Sequence, residues 1–139
     1  MNILFLCVAN SARSQMAEGL AKSMFGNKAR IESAGSQPSG QVQPWAVKIL
    51  KEKNIDISTH SAKSYEDLPV DFMNHLDFVI TLCAEEVCPV ITSRAKKLHW
   101  PIPDPASVPE SEKALAFRSA CEQIAQKLKE FQQICLADN

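Results

Sequence analysis

The chain of 139 residues has no marked excess of charge, no long apolar run and no basic leader ahead of its first apolar residues. Its formal net charge of −1 provides no general attraction to nucleic acid or to anionic membranes. No apolar run reaches the length of a membrane span, and the first run is too short for a signal peptide, so we expect a cytoplasmic protein. A hydrophobic content of 45% is sufficient for one core, and we predict a single domain over residues 1–139.

Cysteine is present in an odd number and follows no export signal, which favours thiol chemistry in a reducing compartment over a disulfide framework. Cys121 and Cys135 fall on the apolar stripe of a predicted C-terminal helix and are expected to be core thiols. Cys7 and Cys83 instead follow predicted strands, and Cys88 lies in the loop or short helix predicted after Cys83. They are the candidates for chemistry.

Apolar runs and helical spacings alternate along the chain. Strands are predicted over residues 3–6, 29–34, 78–82 and 96–100. Helices are predicted from Ser14 to the residue before Gly26, over residues 44–53, and after Ser107, which forms a Ser-x-x-Glu capping box with Glu110. This alternation predicts an α/β fold: a single flavodoxin-like domain with a four-stranded parallel sheet of order 2-1-3-4 and helices on both faces.

The stretch from Cys7 to Ser14 links the first predicted strand to the first predicted helix. Such a loop collects backbone N–H groups and the positive end of the helix dipole, so it binds oxyanions and favours the thiolate form of a cysteine placed there. Arg13 adds a planar guanidinium that can bind two oxygens of a phosphate-shaped ligand. The predicted oxyanion-binding loop comprises Val8, Ala9, Asn10, Ser11, Ala12, Arg13 and Ser14.

The spacing Cys-x5-Arg-Ser, followed by Gln-Met-Ala-Glu-Gly, resembles the low-molecular-weight protein tyrosine phosphatase superfamily and, within it, the thioredoxin-coupled arsenate reductases. The resemblance implies that Cys7 is the nucleophile and that Asp104, in an Asp-Pro pair, protonates the leaving group; a simple turn aspartate is the alternative. Ala106 stands where the phosphatases usually carry an aromatic residue, which favours a small inorganic oxyanion.

The same resemblance implies a thiol relay from Cys7 to Cys83 and then Cys88. External thioredoxin would recycle the disulfide, with glutathione and glutaredoxin as the alternative donor and no bound cofactor. Four residues separate Cys83 from Cys88, where these reductases usually have six. The residues alone leave two other interpretations open: two core thiols, or half of a zinc site with His75 or His99. We expect no metal.

Further details of the loop follow from the residue types and from the resemblance. Ala9 stands where relatives often carry glycine, so either its φ is negative or Asn10 takes the left-handed conformation. Ser14 and Asn10 are expected to support the thiolate and the loop. Some relatives bind potassium through positions that match Asn10, Glu18, Ser33 and Lys63; lysine at the last position predicts an internal ammonium and no potassium stimulation.

Three functions are compatible with these features. An arsenate reductase acting in arsenic detoxification uses Cys7, Arg13, Asp104, Cys83 and Cys88. A low-molecular-weight phosphatase needs Cys7 but neither later cysteine. A non-enzymatic oxyanion sensor would need neither Asp104 nor a redox partner. No feature demands a dimer, so we expect a monomer.

Overall fold

A computed structural model describes residues 1–84 and 90–137 of the chain. Its sheet has four parallel strands in the order β2-β1-β3-β4, which confirms the predicted topology. Cys88 lies outside the described residues, together with the rest of 85–89. The strands are β1 (Asn2–Cys7), β2 (Arg30–Gly35), β3 (Phe78–Thr81) and β4 (Lys96–His99).

Alternate side chains of β1 supply two cores, one on each face of the sheet. Ile3 and Phe5 pack into the larger core, whereas Leu4 and Leu6 face the smaller one around Phe72. A central strand buried on both faces needs a continuous apolar run, which is what residues 3–6 provide. The helices are α1 (Arg13–Phe25), α2 (Pro44–Lys51), α3 (Val70–Asn74) and α4 (Lys113–Ala137), of which α3 covers the smaller core and the others the larger.

The last helix begins later than the capping box predicted. Ser107 ends a short 3-10 turn, Pro105–Ser107, and its Oγ donates to the backbone oxygen of Asp104 at 2.8 Å. A second 3-10 turn, Glu110–Glu112, precedes α4, which starts at Lys113. The prediction that Ser107 caps the last helix is therefore wrong, because its hydroxyl is used in the turn that follows Asp104.

Backbone hydrogen bonds bring the segment after β4 along the carboxyl edge of the sheet. Trp100 N donates to Thr81 O at 2.8 Å, and Ile102 N donates to Leu82 O at 3.2 Å. Cys7 ends β1 at the same edge, and Cys83 follows β3. The edge thus gathers Cys7, Cys83 and Asp104, as expected for a parallel sheet of this type.

No helix within residues 1–84 or 90–137 is long and apolar enough to cross a membrane.

Candidate active site

A cavity of about 320 Å³ opens at the carboxyl edge of the sheet, enclosed largely by the loop between β1 and α1. Three of the predicted catalytic residues, Cys7, Arg13 and Asp104, line it, together with four residues of the predicted oxyanion-binding loop. Cys83 does not. The other lining residues are Val8, Ala9, Ser11, Ala12, Ser39, Gln43 and Ala106.

The Cys7 sulfur is almost fully buried and has two polar neighbours within the loop. Its Sγ lies 2.9 Å from Ser14 Oγ and 3.3 Å from the Asn10 backbone nitrogen. Asn10 Nδ2 donates to Ser14 Oγ at 2.7 Å, so the serine accepts there and its own proton is available to the sulfur. Two donors directed at one sulfur stabilise negative charge on it.

Asn10 has a φ of 51° and is the left-handed residue of the loop. Ala9 has no positive φ, so the unusual conformation falls on the residue that tolerates it better. The side-chain oxygen of Asn10 accepts the Lys63 backbone N–H at 3.0 Å, which identifies the other end of this amide as the nitrogen. That nitrogen donates to Ser14 and, at 3.0 Å, to Ser33 Oγ.

A covering segment, residues 36–43, bonds the outer side of the loop through its backbone. Its N–H groups donate to the carbonyl oxygens of loop residues at distances of 2.9, 3.1 and 2.7 Å. Because a trans peptide places its N–H opposite its C=O, carbonyls directed outward leave the following N–H groups directed inward. The three pairs are Gln37 with Val8, Ser39 with Ala9, and Gln43 with Ser11.

Gly35 permits the close approach of β2 to this loop. A Cβ at that position would lie 2.4 Å from Val8 O and 3.0 Å from both Asn10 N and Cys7 O. All three neighbours are backbone atoms and cannot rotate away. Only glycine fits here.

Arg13 is buried in the cavity wall. Its Nη1 donates to Ile102 O at 3.0 Å and lies 3.5 Å from Leu82 O. Both carbonyls belong to the sheet edge, so the guanidinium is held in a fixed orientation beside Cys7. A fixed planar cation at this place suits a tetrahedral oxyanion.

Asp104 is held by the turn that follows it. Its Oδ1 accepts the Ala106 N–H at 3.0 Å, and Oδ2 takes no part in that bond. Ala106 itself contributes only a methyl group to the cavity wall, and no aromatic side chain is among the described residues that line the cavity. The opening accordingly lacks the flat apolar wall that an aryl group would need.

Cys83 lies at the same edge, just beyond β3, and is not among the residues that line the cavity. It is 1% exposed and follows Leu82, whose N–H donates to Leu6 O at 2.9 Å. The strands that end in Cys7 and lead to Cys83 are therefore direct neighbours. Of the histidines considered as zinc ligands, His75 bonds Asp71 O and His99 bonds Thr81 Oγ1.

The family model for low molecular weight phosphotyrosine protein phosphatases matches residues 2–138. The chain belongs to this family. An arsenate reductase of Bacillus subtilis strain 168 is 41% identical over 133 residues, which cover 93% of each chain. A solved arsenate reductase in the phosphate-binding state is 30% identical, with 94% of this chain and 96% of that one covered and a TM-score of 0.75. A thioredoxin-dependent arsenate reductase of Corynebacterium glutamicum is 27% identical, with 99% of this chain and 62% of that one covered and a TM-score of 0.75.

This phosphatase-family chain carries a buried carboxylate behind its oxyanion loop. Glu18 is 2% exposed; Lys22 Nζ lies 2.6 Å from its Oε2 and Lys63 Nζ 3.6 Å from its Oε1. Burial by itself raises the pKa of Glu18, but the Lys22 hydrogen bond, the Lys63 charge and the Ser33 hydroxyl bring that pKa below its ordinary value. The positions matched to a potassium site do converge, yet two ammonium groups already neutralise the carboxylate. This donor set does not fit an added potassium ion.

Several contributors to the site were not expected from the sequence. Ser39 and Gln43 lie in a loop without a motif, and no signal in the sequence identifies them. Lys22 could have been found, because Glu18 and Lys22 have the i,i+4 spacing of a helical ion pair. Gln15 bonds Asn10 on the side away from the cavity, and His60 bonds Gln15.

Proposed function

We propose that this protein reduces arsenate to arsenite. The observation that carries the proposal is that Cys7 ends β1 and Cys83 lies just beyond β3, and that these two strands are hydrogen-bonded neighbours. A phosphatase needs the first thiol alone, whereas reduction of arsenate takes two electrons, which two thiols supply when they form a disulfide. The arsenate reductases among the relatives support the same choice.

In the first step the Cys7 thiolate attacks arsenic and displaces one oxygen. Asp104 donates the proton with which this oxygen departs as water, and an arsenic–sulfur bond replaces the arsenic–oxygen bond. Arg13 and the inward N–H groups of the loop carry the charge of the remaining oxygens. Asp104 and Arg13 both line the cavity beside Cys7, which supports these roles.

In the second step the Cys83 thiolate attacks the Cys7 sulfur. A Cys7–Cys83 disulfide forms, the arsenic–sulfur bond breaks, and its electron pair stays on arsenic, which leaves as arsenite. Cys88 then attacks Cys83 and releases the Cys7 thiolate, so the disulfide becomes Cys83–Cys88. Because Cys83 is buried and is not among the residues that line the cavity, this step includes a local displacement of its segment.

An external dithiol reduces the Cys83–Cys88 disulfide and completes the cycle. We propose thioredoxin as this donor, supported by the thioredoxin-dependent relative. Glutathione with glutaredoxin is the alternative. Arsenite production coupled to NADPH oxidation, measured with each purified donor system in turn, separates the two; activity with glutaredoxin alone would refute the choice of thioredoxin.

Cysteine variants test the relay. Cys7→Ser should abolish arsenate reduction, and Cys83→Ser should abolish it while slow aryl-phosphate hydrolysis remains. Cys88→Ser should release about one arsenite per enzyme molecule and then stop, because each disulfide carries two electrons. Cys121→Ala is the control, since burial raises the pKa of that core thiol and it lies away from the cavity. Multiple turnover by Cys83→Ser would refute the relay.

Hydrolysis of phosphomonoesters is the second candidate function. Two observations support it: Cys7, Arg13 and Asp104, the residues that a phosphocysteine mechanism would use, line one cavity, and the chain belongs to a phosphatase family. The methyl group of Ala106 gives an aryl ester no stacking partner. A kcat/KM for p-nitrophenyl phosphate above that for arsenate would make hydrolysis the main activity.

A further inference from the structure

Gln15 is a buried amide in the first turn of α1 whose polar atoms all have partners. Its Nε2 lies 3.0 Å from Asn10 Oδ1, 3.2 Å from Asn10 O and 3.0 Å from Ser61 O. Its Oε1 lies 3.0 Å from His60 Nδ1. The two carbonyl acceptors fix Nε2 as the nitrogen end, so Oε1 accepts and His60 Nδ1 carries the proton.

His60 is half-buried and has a defined tautomer at neutral pH. Burial lowers the pKa of His60, and the charges of Lys22 and Lys63 lower it further. The Glu18 carboxylate opposes these effects, but the pKa of His60 remains below its ordinary value. The ring is therefore neutral at pH 7, with its single proton on the nitrogen that faces Gln15. The imidazole holds the amide in one orientation.

Asn10 is restrained by this pair on the side opposite the cavity. Gln15 bonds both the backbone oxygen and the side-chain oxygen of Asn10. The backbone N–H of Asn10 is directed toward Cys7 Sγ, and its Nδ2 toward Ser14 Oγ. A non-glycine residue in the left-handed region needs such external contacts to remain there. Both groups that donate toward the sulfur thus depend on the position of Asn10.

We propose that Gln15, oriented by His60, is a positioning residue that holds Asn10 in its left-handed conformation and so directs two donors at the Cys7 sulfur. Gln15 is not among the residues that line the cavity. Replacement of Gln15 should therefore lower the reactivity of Cys7 and leave the affinity for oxyanions nearly unchanged. The inference rests on the proposed role of Cys7 as the nucleophile.

The test compares Gln15→Met with Gln132→Met. Both variants keep the approximate side-chain volume and lose a bond to a backbone carbonyl. Gln132 lies on α4 and bonds Met24 O near the end of α1, away from the cavity. We expect Gln15→Met to lower the rate of Cys7 alkylation by iodoacetamide at pH 7, followed by peptide mass spectrometry, about tenfold. The single-turnover rate of arsenite release should fall by the same factor, while the dissociation constant for inorganic phosphate changes less than about twofold.

A second pair of variants tests the orienting role of His60. His60→Asn retains an N–H near the position of Nδ1 and should keep the wild-type alkylation rate, whereas His60→Leu removes the donor and should lower it. This pair keeps the proposal falsifiable should Gln15→Met fail to fold.

Three results would overturn the proposal. They are wild-type alkylation in folded Gln15→Met, a phosphate affinity that falls as much as the alkylation rate, or equal rates for the two His60 variants. Alkylation needs no arsenate turnover, so a failure of the proposed reductase activity is recognised separately.

Discussion

Ser14 Oγ lies 2.9 Å from Cys7 Sγ and receives a hydrogen bond from Asn10 at 2.7 Å. The second contact determines the direction of the first, because a hydroxyl that accepts from an amide has its proton available to donate elsewhere. The sulfur therefore meets a donor whose orientation is already set before any ligand binds.

Removing this hydroxyl should slow the first chemical step. In Ser14→Ala the thiolate loses a hydrogen bond to a charged group, worth about 1.5–3 kcal/mol, so arsenite release in a single turnover should fall at least about tenfold. Rapid-quench measurement of arsenite provides the rate. Ser23→Ala, exposed on the same helix, is the control. Equal rates in the two variants would contradict the assigned direction of the bond.

Replacing Asp104 by asparagine should remove the proton donor without disturbing the turn. An asparagine oxygen can still accept the Ala106 N–H that Asp104 accepts at 3.0 Å. The rate of arsenate reduction should fall about 10²-fold or more, as is usual for loss of a general acid, while inorganic phosphate still binds. Steady-state kinetics and phosphate titration measure the two quantities, and Glu112→Gln is a charge-matched surface control. A small loss of rate would make Asp104 a simple turn residue.

Gly35→Ala should destabilise the oxyanion loop. The added Cβ would meet the backbone oxygen of Val8 at 2.4 Å, so either β2 or the loop must move, at a cost of about 1–3 kcal/mol. The free energy of unfolding in urea should fall, and the phosphate dissociation constant should rise. Gly26→Ala is the contrast: it has a φ of 55° but open space, so its stability should fall and its phosphate affinity should not.

The buried Glu18 carboxylate should make stability depend on acid pH. Its folded-state pKa lies below the ordinary value of 4.5, so its contribution is fully present above that value and is lost as pH falls below it. Glu18→Gln should lower stability at pH 7, where Lys22 and Lys63 lose their partner, and should flatten the loss between about pH 5 and 3. Urea unfolding across this range tests it. Glu52→Gln, at an exposed pair with Arg118, should change the profile less.

Potassium should have no specific effect on the wild-type protein. We propose that the Lys63 ammonium, 3.6 Å from Glu18, takes the place of a bound cation, with Lys22 as a second positive group. Melting temperature and arsenate turnover should be the same in potassium and sodium chloride at equal ionic strength. Lys63→Asp should introduce a preference for potassium. A clear stimulation of the wild type by potassium would refute the proposal.

The sequence predicted the features that depend on local pattern. The apolar run before Cys7 indicated a buried strand, and the strand order places it in the interior of the sheet. Cys7 and Asp104, both singled out in the sequence, line the same cavity. Features that depend on contacts between distant segments were not predicted. His60 meets Gln15 across 45 residues, and the Ser107 hydroxyl was assigned to a helix cap because its local alternative, a bond to Asp104, leaves no distinct pattern.

The covering segment over residues 36–43 holds the oxyanion loop through main-chain atoms alone. Side chains in this segment can therefore change without altering the loop beneath them, provided that no proline removes one of the three donors and that Gly40, with a φ of 96°, is retained. Ser39 and Gln43 nevertheless face the cavity. Related chains could therefore acquire new substrates by substitution at these two positions of the cavity entrance, while the main-chain bonds that hold the loop around Cys7 stay the same.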